Sequence, residues 1–171
     1  MTSANIRRQI EESIAVKQAM MANCLPDIER ICDACIKAVK SGHTLYFCGN
    51  GGSFTDASHI VGELVGRYGY DRPGIAAHTL GSNFASLTAI GNDYGYEDIF
   101  VREVDALVKA GDVVVGLSTS GGSKNVVKAI KRAKEKGAVT IGWVGAKQAT
   151  PLDELCSIML HVPSAVTPRI Q

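Results

Sequence analysis

Two segments of the sequence set glycines and hydroxyl side chains directly ahead of a helical run. The first is Gly49-Asn50-Gly51-Gly52-Ser53, and the second is Ser118-Thr119-Ser120-Gly121-Gly122-Ser123. Glycine lets backbone N–H groups approach an anion closely. A helix start presents unpaired donors with partial positive charge, and Ser or Thr hydroxyls add further hydrogen bonds. In principle each loop is a phosphate site. The plainer explanation, helix capping and turn formation, carries more weight for the first loop than for the second, which holds four hydroxyls in six residues. Neither loop is a nucleotide fingerprint. No G-x-x-x-x-G-K-[ST] occurs, and Phe54 stands where a dinucleotide motif wants Gly or Ala. A phosphate held by backbone and hydroxyls, without a lysine clamp, suits a phosphorylated sugar better than ATP.

The helix expected after the first loop carries His59 and Glu63, spaced i, i+4 and so projecting from one face. Such a pair can bind a divalent metal, or Glu63 can act as a base beside a bound sugar. An exposed helical pair making a weak contact is the bland alternative, and the adjacent phosphate-type loop tips the balance away from it. Asp56 reads as a residue favouring the helix start. A third polar cluster, Gly91-Asn92-Asp93-Tyr94-Gly95, has the composition of a turn, although Asn92 and Asp93 have the chemistry to bond sugar hydroxyls.

These loops need a scaffold, and the apolar pattern supplies one. Ile6, Ile10 and Ile14 recur at a helical period. A second helix begins near Pro26, lines one face with Ile28, Ile31, Cys35, Ile36 and Val39, and closes at Ser41-Gly42. From residue 43 onward short apolar strands alternate with helical stretches: TLYFC (44–48), GIAAHTL (74–80), DVVVGL (112–117), VTIGWV (139–144) and SIMLHV (157–162). Strands apolar at successive positions are buried on both faces, which predicts a parallel sheet of about five strands between helical layers. In such sheets ligands bind beyond the carboxyl ends of the strands, where strand order reverses. The tail Thr167–Gln171 is expected to leave the last strand without a closing helix.

Composition agrees. The 171 residues hold 18 Lys plus Arg against 17 Asp plus Glu, a formal charge of +1, with 46% hydrophobic residues. This excludes a strongly basic nucleic-acid surface and a disordered chain, and predicts one domain: helices over 1–42 and an α/β core over 43–171. No apolar run approaches the roughly 18 residues of a membrane span, and the N-terminus has no signal-peptide pattern, so the cytoplasm is the expected location. Five scattered cysteines, an odd number, are expected to be reduced, with Cys32-x-x-Cys35 read as two small side chains within a helix.

The segments CGNGGS (48–53), DASHIVGELVGRY (56–68), RPG (72–74), AIGNDYGYEDIF (89–100), GDVVVGLSTSGGSKNV (111–126) and TPRIQ (167–171) together resemble a sugar isomerase (SIS) domain. Within that superfamily the chain is similar to the sedoheptulose 7-phosphate (phosphoheptose) isomerases. The resemblance implies a homotetramer of three-layer, flavodoxin-like α/β/α domains that converts sedoheptulose 7-phosphate to D-glycero-D-manno-heptose 7-phosphate. That is the first step towards the activated heptoses of lipopolysaccharide and capsule. It further implies that Ser53, Ser118, Thr119, Ser120 and Ser123 hold the phosphate, while Asn50, Gly51, Gly52, Asn92 and Asp93 contact the sugar. By the same resemblance His59, Glu63 and Gln171 ligate a zinc ion, and Glu63 is the catalytic base. The family's fourth metal ligand and partner acid is a histidine in a further C-terminal helix. None of His43, His59, His78 and His161 matches it, so the sequence is expected to stop short of that helix.

Two other functions compete. A non-catalytic SIS module of the replication-initiator-associating kind resembles this chain around RPG and RIQ but lacks the carboxylate matching Glu63. A sugar-sensing transcription regulator would need a helix-turn-helix, whereas the first forty residues have the pattern of packing helices.

Overall fold

A computed structural model describes residues 2–171. Two helices, α1 (Ser3–Asn23) and α2 (Leu25–Lys40), precede strand β1 (Leu45–Gly49). The order then runs α3 (Gly52–Val65), β2 (Ala77–Thr79), α4 (Phe84–Tyr94), a 3-10 turn (Tyr96–Asp98), α5 (Val101–Leu107), β3 (Val113–Leu117) and α6 (Lys124–Glu135). It closes with β4 (Val139–Val144), α7 (Pro151–Leu155), β5 (Ile158–His161) and α8 (Thr167–Ile170). All strand pairs are parallel, in the order β2-β1-β3-β4-β5.

The five-stranded α/β/α sandwich is therefore as expected. β1 and β3 are buried at every position, which is why their sequences are apolar without alternation. Tyr46, Cys48 and Val114 face one layer, where Phe100, Val104, Val126, Ile130 and Leu152 bring in α5, α6 and α7. Leu45, Phe47, Val113, Val115 and Leu117 face the other, against Cys24, Ile31, Ala38 and Ala57 of the α2–α3 layer. α1 lies outside α2 and also touches α8.

Four local expectations change. The second strand shrinks to Ala77–Thr79, because Pro73 has no N–H and the Ile75 N–H donates to the Leu64 carbonyl at 2.9 Å, holding this stretch against the end of α3. The Asn92-Asp93 cluster is the last turn of α4 rather than a loop, and the helix stops at Gly95, whose φ is +92°. The tail does form a helical turn, α8, with Pro168 in its first positions, where a missing N–H costs nothing. Finally, Ile36 of the expected buried face of α2 is 51% exposed, while Ile31 is buried.

Candidate active site

Strand order reverses between β1 and β3, and their last residues, Gly49 and Leu117, are register partners. Both glycine–hydroxyl loops therefore leave the sheet side by side at its carboxyl edge, the position where open α/β sheets bind ligands.

The second loop is tied down through its main chain. The Ser118 N–H donates to the Trp143 carbonyl at 3.0 Å, the Gly121 N–H to the Ser118 carbonyl at 2.9 Å, and the Gly145 N–H to the Thr119 carbonyl at 3.1 Å. Gly121 has φ +67°, and a Cβ there would lie 2.4 Å from the buried Thr150 hydroxyl, so both conformation and space require glycine. The Ser118 and Ser123 hydroxyls lie 2.9 Å apart. Ser123 stands at the N-cap of α6, yet its side chain does not cap the helix, and no acidic residue occupies the first turn. α3 is alike: Gly51 is its N-cap, without a side-chain cap or a first-turn acid. By contrast, α4 spends Asn83 on its own first-turn N–H groups, and Asp153 of α7 accepts from the Thr150 N–H at 2.7 Å. Capping thus does not account for the hydroxyls at the switch point. Neither helix start is closed by an N-cap side chain or a first-turn acid, although the Ser53 and Phe54 N–H groups bond the Asn50 and Gly51 carbonyls and the Val126 N–H bonds Asn125 Oδ1. Such a pair of adjacent starts favours an anion.

Beside them is a cavity of about 620 Å³. Its polar lining includes Ser53, His59, Glu63, Ser118, Thr119 and Gln171, together with Asp56 and Arg72, against apolar walls from Ile60, Leu117, Trp143 and Leu160. His59 Nε2 and Glu63 Oε1 are 3.3 Å apart, and both side chains are reached by solvent. The Gln171 amide donates to Ser53 Oγ at 2.9 Å. Gly52 makes this approach possible, because a Cβ there would sit 2.5 Å from Gln171 Oε1. Gln171 is steadied from two residues away by Arg169, which bonds Gln9 and Glu12 of α1.

The remaining expected residues lie around this cavity rather than in its lining. Ser120 Oγ accepts from the Gly122 N–H at 3.3 Å, and Ser123 reaches the lining through Ser118. Asn50 and Gly51 line a smaller cavity of about 230 Å³ with Tyr96. Asn92 and Asp93 are exposed at the end of α4 and bond each other at 2.8 Å. Cys32 and Cys35 lie on α2; burial, then the Cys32 neighbour, pushes the Cys35 thiol up to about 11, the signature of a packed thiol. Among the described residues no group of three or more His, Cys, Asp and Glu is placed to hold a metal. The expected set differs in that its third member is a glutamine.

Three residues were not expected at the site: Trp143, which forms part of its apolar wall, Arg72 and Asn125. Arg72 donates to the Glu63 carbonyl at 2.8 Å and the Leu64 carbonyl at 2.9 Å, closing the end of α3 that carries Glu63. Asn125 is buried and bonds Asn50. Its signal was a polar residue on the apolar Val126–Ala129–Ile130–Ala133 face of a helix.

A parallel sheet of this order, with two adjacent helix starts at its switch point and a carboxylate beside them, defines the class, and residues 9–145 match the SIS domain family model. The phosphoheptose isomerase of Burkholderia pseudomallei (strain 1710b) is 46% identical over 168 residues, which cover 95% of this chain and 85% of that protein. The structure of phosphoheptose isomerase from Neisseria gonorrhoeae superposes with a TM-score of 0.90 at 34% identity, covering 98% of this chain and 89% of that one. That of a phosphoheptose isomerase from Francisella tularensis gives 0.93 at 30% identity, covering 99% and 91%. The chain belongs to the SIS domain family and, within it, to the phosphoheptose isomerases.

Proposed function

We infer that the protein is an aldose–ketose isomerase that converts sedoheptulose 7-phosphate to D-glycero-D-manno-heptose 7-phosphate. The observation that carries this reading is that one cavity at the switch point joins Glu63 to Ser118 and Thr119 of the hydroxyl loop and to Ser53 at the start of α3. Ser53, Ser118, Thr119, Ser120 and Ser123 bind the phosphate, aided by the N–H groups of α3 and α6. This anchors the far end of a seven-carbon chain, and binding energy so gained orients C1 and C2 at the base.

The reaction moves two protons, one between carbons and one between oxygens. Glu63 takes the first from C1, where the C2 carbonyl makes it acidic, and returns it to C2 of the resulting enediol, while the hydroxyl proton passes from O1 to O2. A carboxylate suits this shuttle because its two oxygens span neighbouring carbons. Arg72 holds the main chain of Glu63, and His59 holds its carboxylate.

His59, Glu63 and Gln171 have the donor set of a divalent ion such as zinc: an imidazole nitrogen, a carboxylate and an amide oxygen. The 3.3 Å between His59 Nε2 and Glu63 Oε1 matches the spacing of two ligands on one tetrahedral ion at about 2.0–2.1 Å. Gln171 Nε2 donates to Ser53 Oγ, and among the described residues nothing donates to its Oε1. When bound, such an ion supplies Lewis-acid stabilisation of charge on the C1 and C2 oxygens.

Self-association is supported by the apolar row Ile6, Ile10 and Ile14 on α1, which are 49%, 56% and 49% exposed; a homotetramer is the assembly proposed for it. A cytoplasmic location fits the free cysteines and the observation that, among the described residues, no helix is long and apolar enough to cross a membrane. The product would feed activated heptoses for lipopolysaccharide or capsule. Replacing Glu63 by Gln in the full-length enzyme is expected to lower kcat by about 100-fold or more while phosphosugar binding persists. Unchanged turnover would remove Glu63 as the base.

A further inference from the structure

We propose that Asn125 is a positioning residue that, with Tyr96, fixes the Asn50 amide as a pure hydrogen-bond donor towards the sugar. This rests on the isomerase reading above. Asn125 is 2% exposed, on a helix face otherwise made of Val126, Ala129, Ile130 and Ala133. An amide in such a place costs stability unless its bonds are made, and an apolar residue would pack there without that demand. Its bonds reach 75 residues back along the chain: Asn125 Nδ2 donates to Asn50 Oδ1 at 2.8 Å, and Asn50 Nδ2 donates to Asn125 Oδ1 at 2.9 Å. The pair joins the start of α6, beside the hydroxyl loop, to the glycine loop after β1.

The orientation of both amides follows from one main-chain group. The Val126 N–H, 3.0 Å from Asn125 Oδ1, can only donate, so that atom must be the oxygen. The other branch of Asn125 is then the NH2 group and donates, so the atom it meets on Asn50 must be oxygen too. Tyr96, whose hydroxyl donates to the same Asn50 Oδ1 at 2.9 Å, agrees with this assignment and fills the second lone pair. Asn50 therefore has no acceptor left, and of its two N–H groups one is spent on Asn125. What remains is a single N–H. It recognises an oxygen that accepts, such as a sugar hydroxyl or carbonyl, and it disfavours a protonated amino group at the same position. Discrimination of hydroxy- from amino-sugar phosphates thus rests on Asn125, a buried residue that lines neither cavity.

Asn125→Asp keeps the shape and the bond from the Val126 N–H but removes the donor, so the Asn50 amide loses its reason to face one way. In the full-length enzyme this variant is expected to raise KM for sedoheptulose 7-phosphate about tenfold, the worth of one misplaced hydrogen bond, with kcat within about twofold. The inhibition constant for inorganic phosphate should stay at the wild-type value, because the hydroxyl loop is untouched. In an Asn50→Ala background the same change should add nothing. An unchanged KM, a parallel weakening of phosphate, or full additivity with Asn50→Ala would each overturn the proposal. If Asn125→Asp does not fold, Asn50→Asp asks the same question by deleting the free N–H, with the same expected split between KM and phosphate binding. Failure of the wild-type enzyme to turn over would instead count against the isomerase reading itself.

Discussion

Ser123 is the residue whose position and bonding disagree most usefully. It has the type and place of a helix cap, yet its hydroxyl is 2.9 Å from Ser118 Oγ and caps no N–H of its own helix, whose Val126 N–H bonds Asn125 Oδ1 instead. If that arrangement serves a phosphate, Ser123→Ala removes a ligand contact without removing a cap. The expected result is a KM for the phosphosugar raised about tenfold with no loss of thermal stability, since a true cap substitution costs ~1 kcal/mol. Steady-state kinetics beside a melting curve check this; a lowered melting temperature with an unchanged KM would restore the capping explanation. At this scale much was legible. The i, i+4 spacing of His59 and Glu63 needs only a helix to put them together, and the hydroxyl density after DVVVGL exceeds what a turn requires. Arg72, Trp143 and Asn125 were not legible, because each reaches the site through contacts the chain makes only after folding. Arg72 acts on carbonyls eight and nine residues earlier, and Asn125 on a side chain 75 residues away.

Among the elements, β1, β3 and β4 announced themselves as continuous apolar runs because both their faces are covered. β2 was expected as well, but over 74–80, and it is shorter because only three of its residues pair and the start of GIAAHTL is drawn towards α3. α4 was hidden by its own composition: Gly91, Asn92 and Asp93 are poor helix formers, and packing against the 3-10 turn, with the Ser86–Glu103 bond and Arg102 over the Tyr94 ring from α5, carries the helix through them. α7 shows how a short element is held beside the site. Burial alone would raise the Asp153 carboxyl, but hydrogen bonds from the Thr150 hydroxyl and N–H and from His161 outweigh it and leave the pKa below its ordinary value. A depressed carboxyl stabilises the fold fully above its unfolded value, about pH 4, and loses that contribution as pH falls through the lower folded value. Asp153→Asn should therefore narrow the gap between urea midpoints at pH 6 and pH 3. An unchanged gap would mean the network contributes nothing to acid stability.

For the molecule as a whole, the order β2-β1-β3-β4-β5 is what converts two loops separated by some seventy residues into one site. The sequence dictated that the loops follow strands; only the pairing of β1 with β3 made them neighbours. The isoleucine row of α1 belongs to this scale too. Its period predicts a buried face, yet within one chain it meets solvent, so its partner is expected to be another copy. Ile10→Glu should lower the sedimenting mass of the full-length protein, and an unaltered mass would locate the contact elsewhere.

The central claim is that Glu63 carries a proton between C1 and C2. The most direct measurement is to run the conversion of sedoheptulose 7-phosphate by the full-length enzyme in deuterium oxide and follow both sugars by NMR. A base that exchanges its proton with solvent predicts deuterium at C2 of the heptose product and at C1 of recovered ketose, with both signals abolished by Glu63→Gln. Conversion without deuterium at either carbon, or labelling that survives Glu63→Gln, would contradict it.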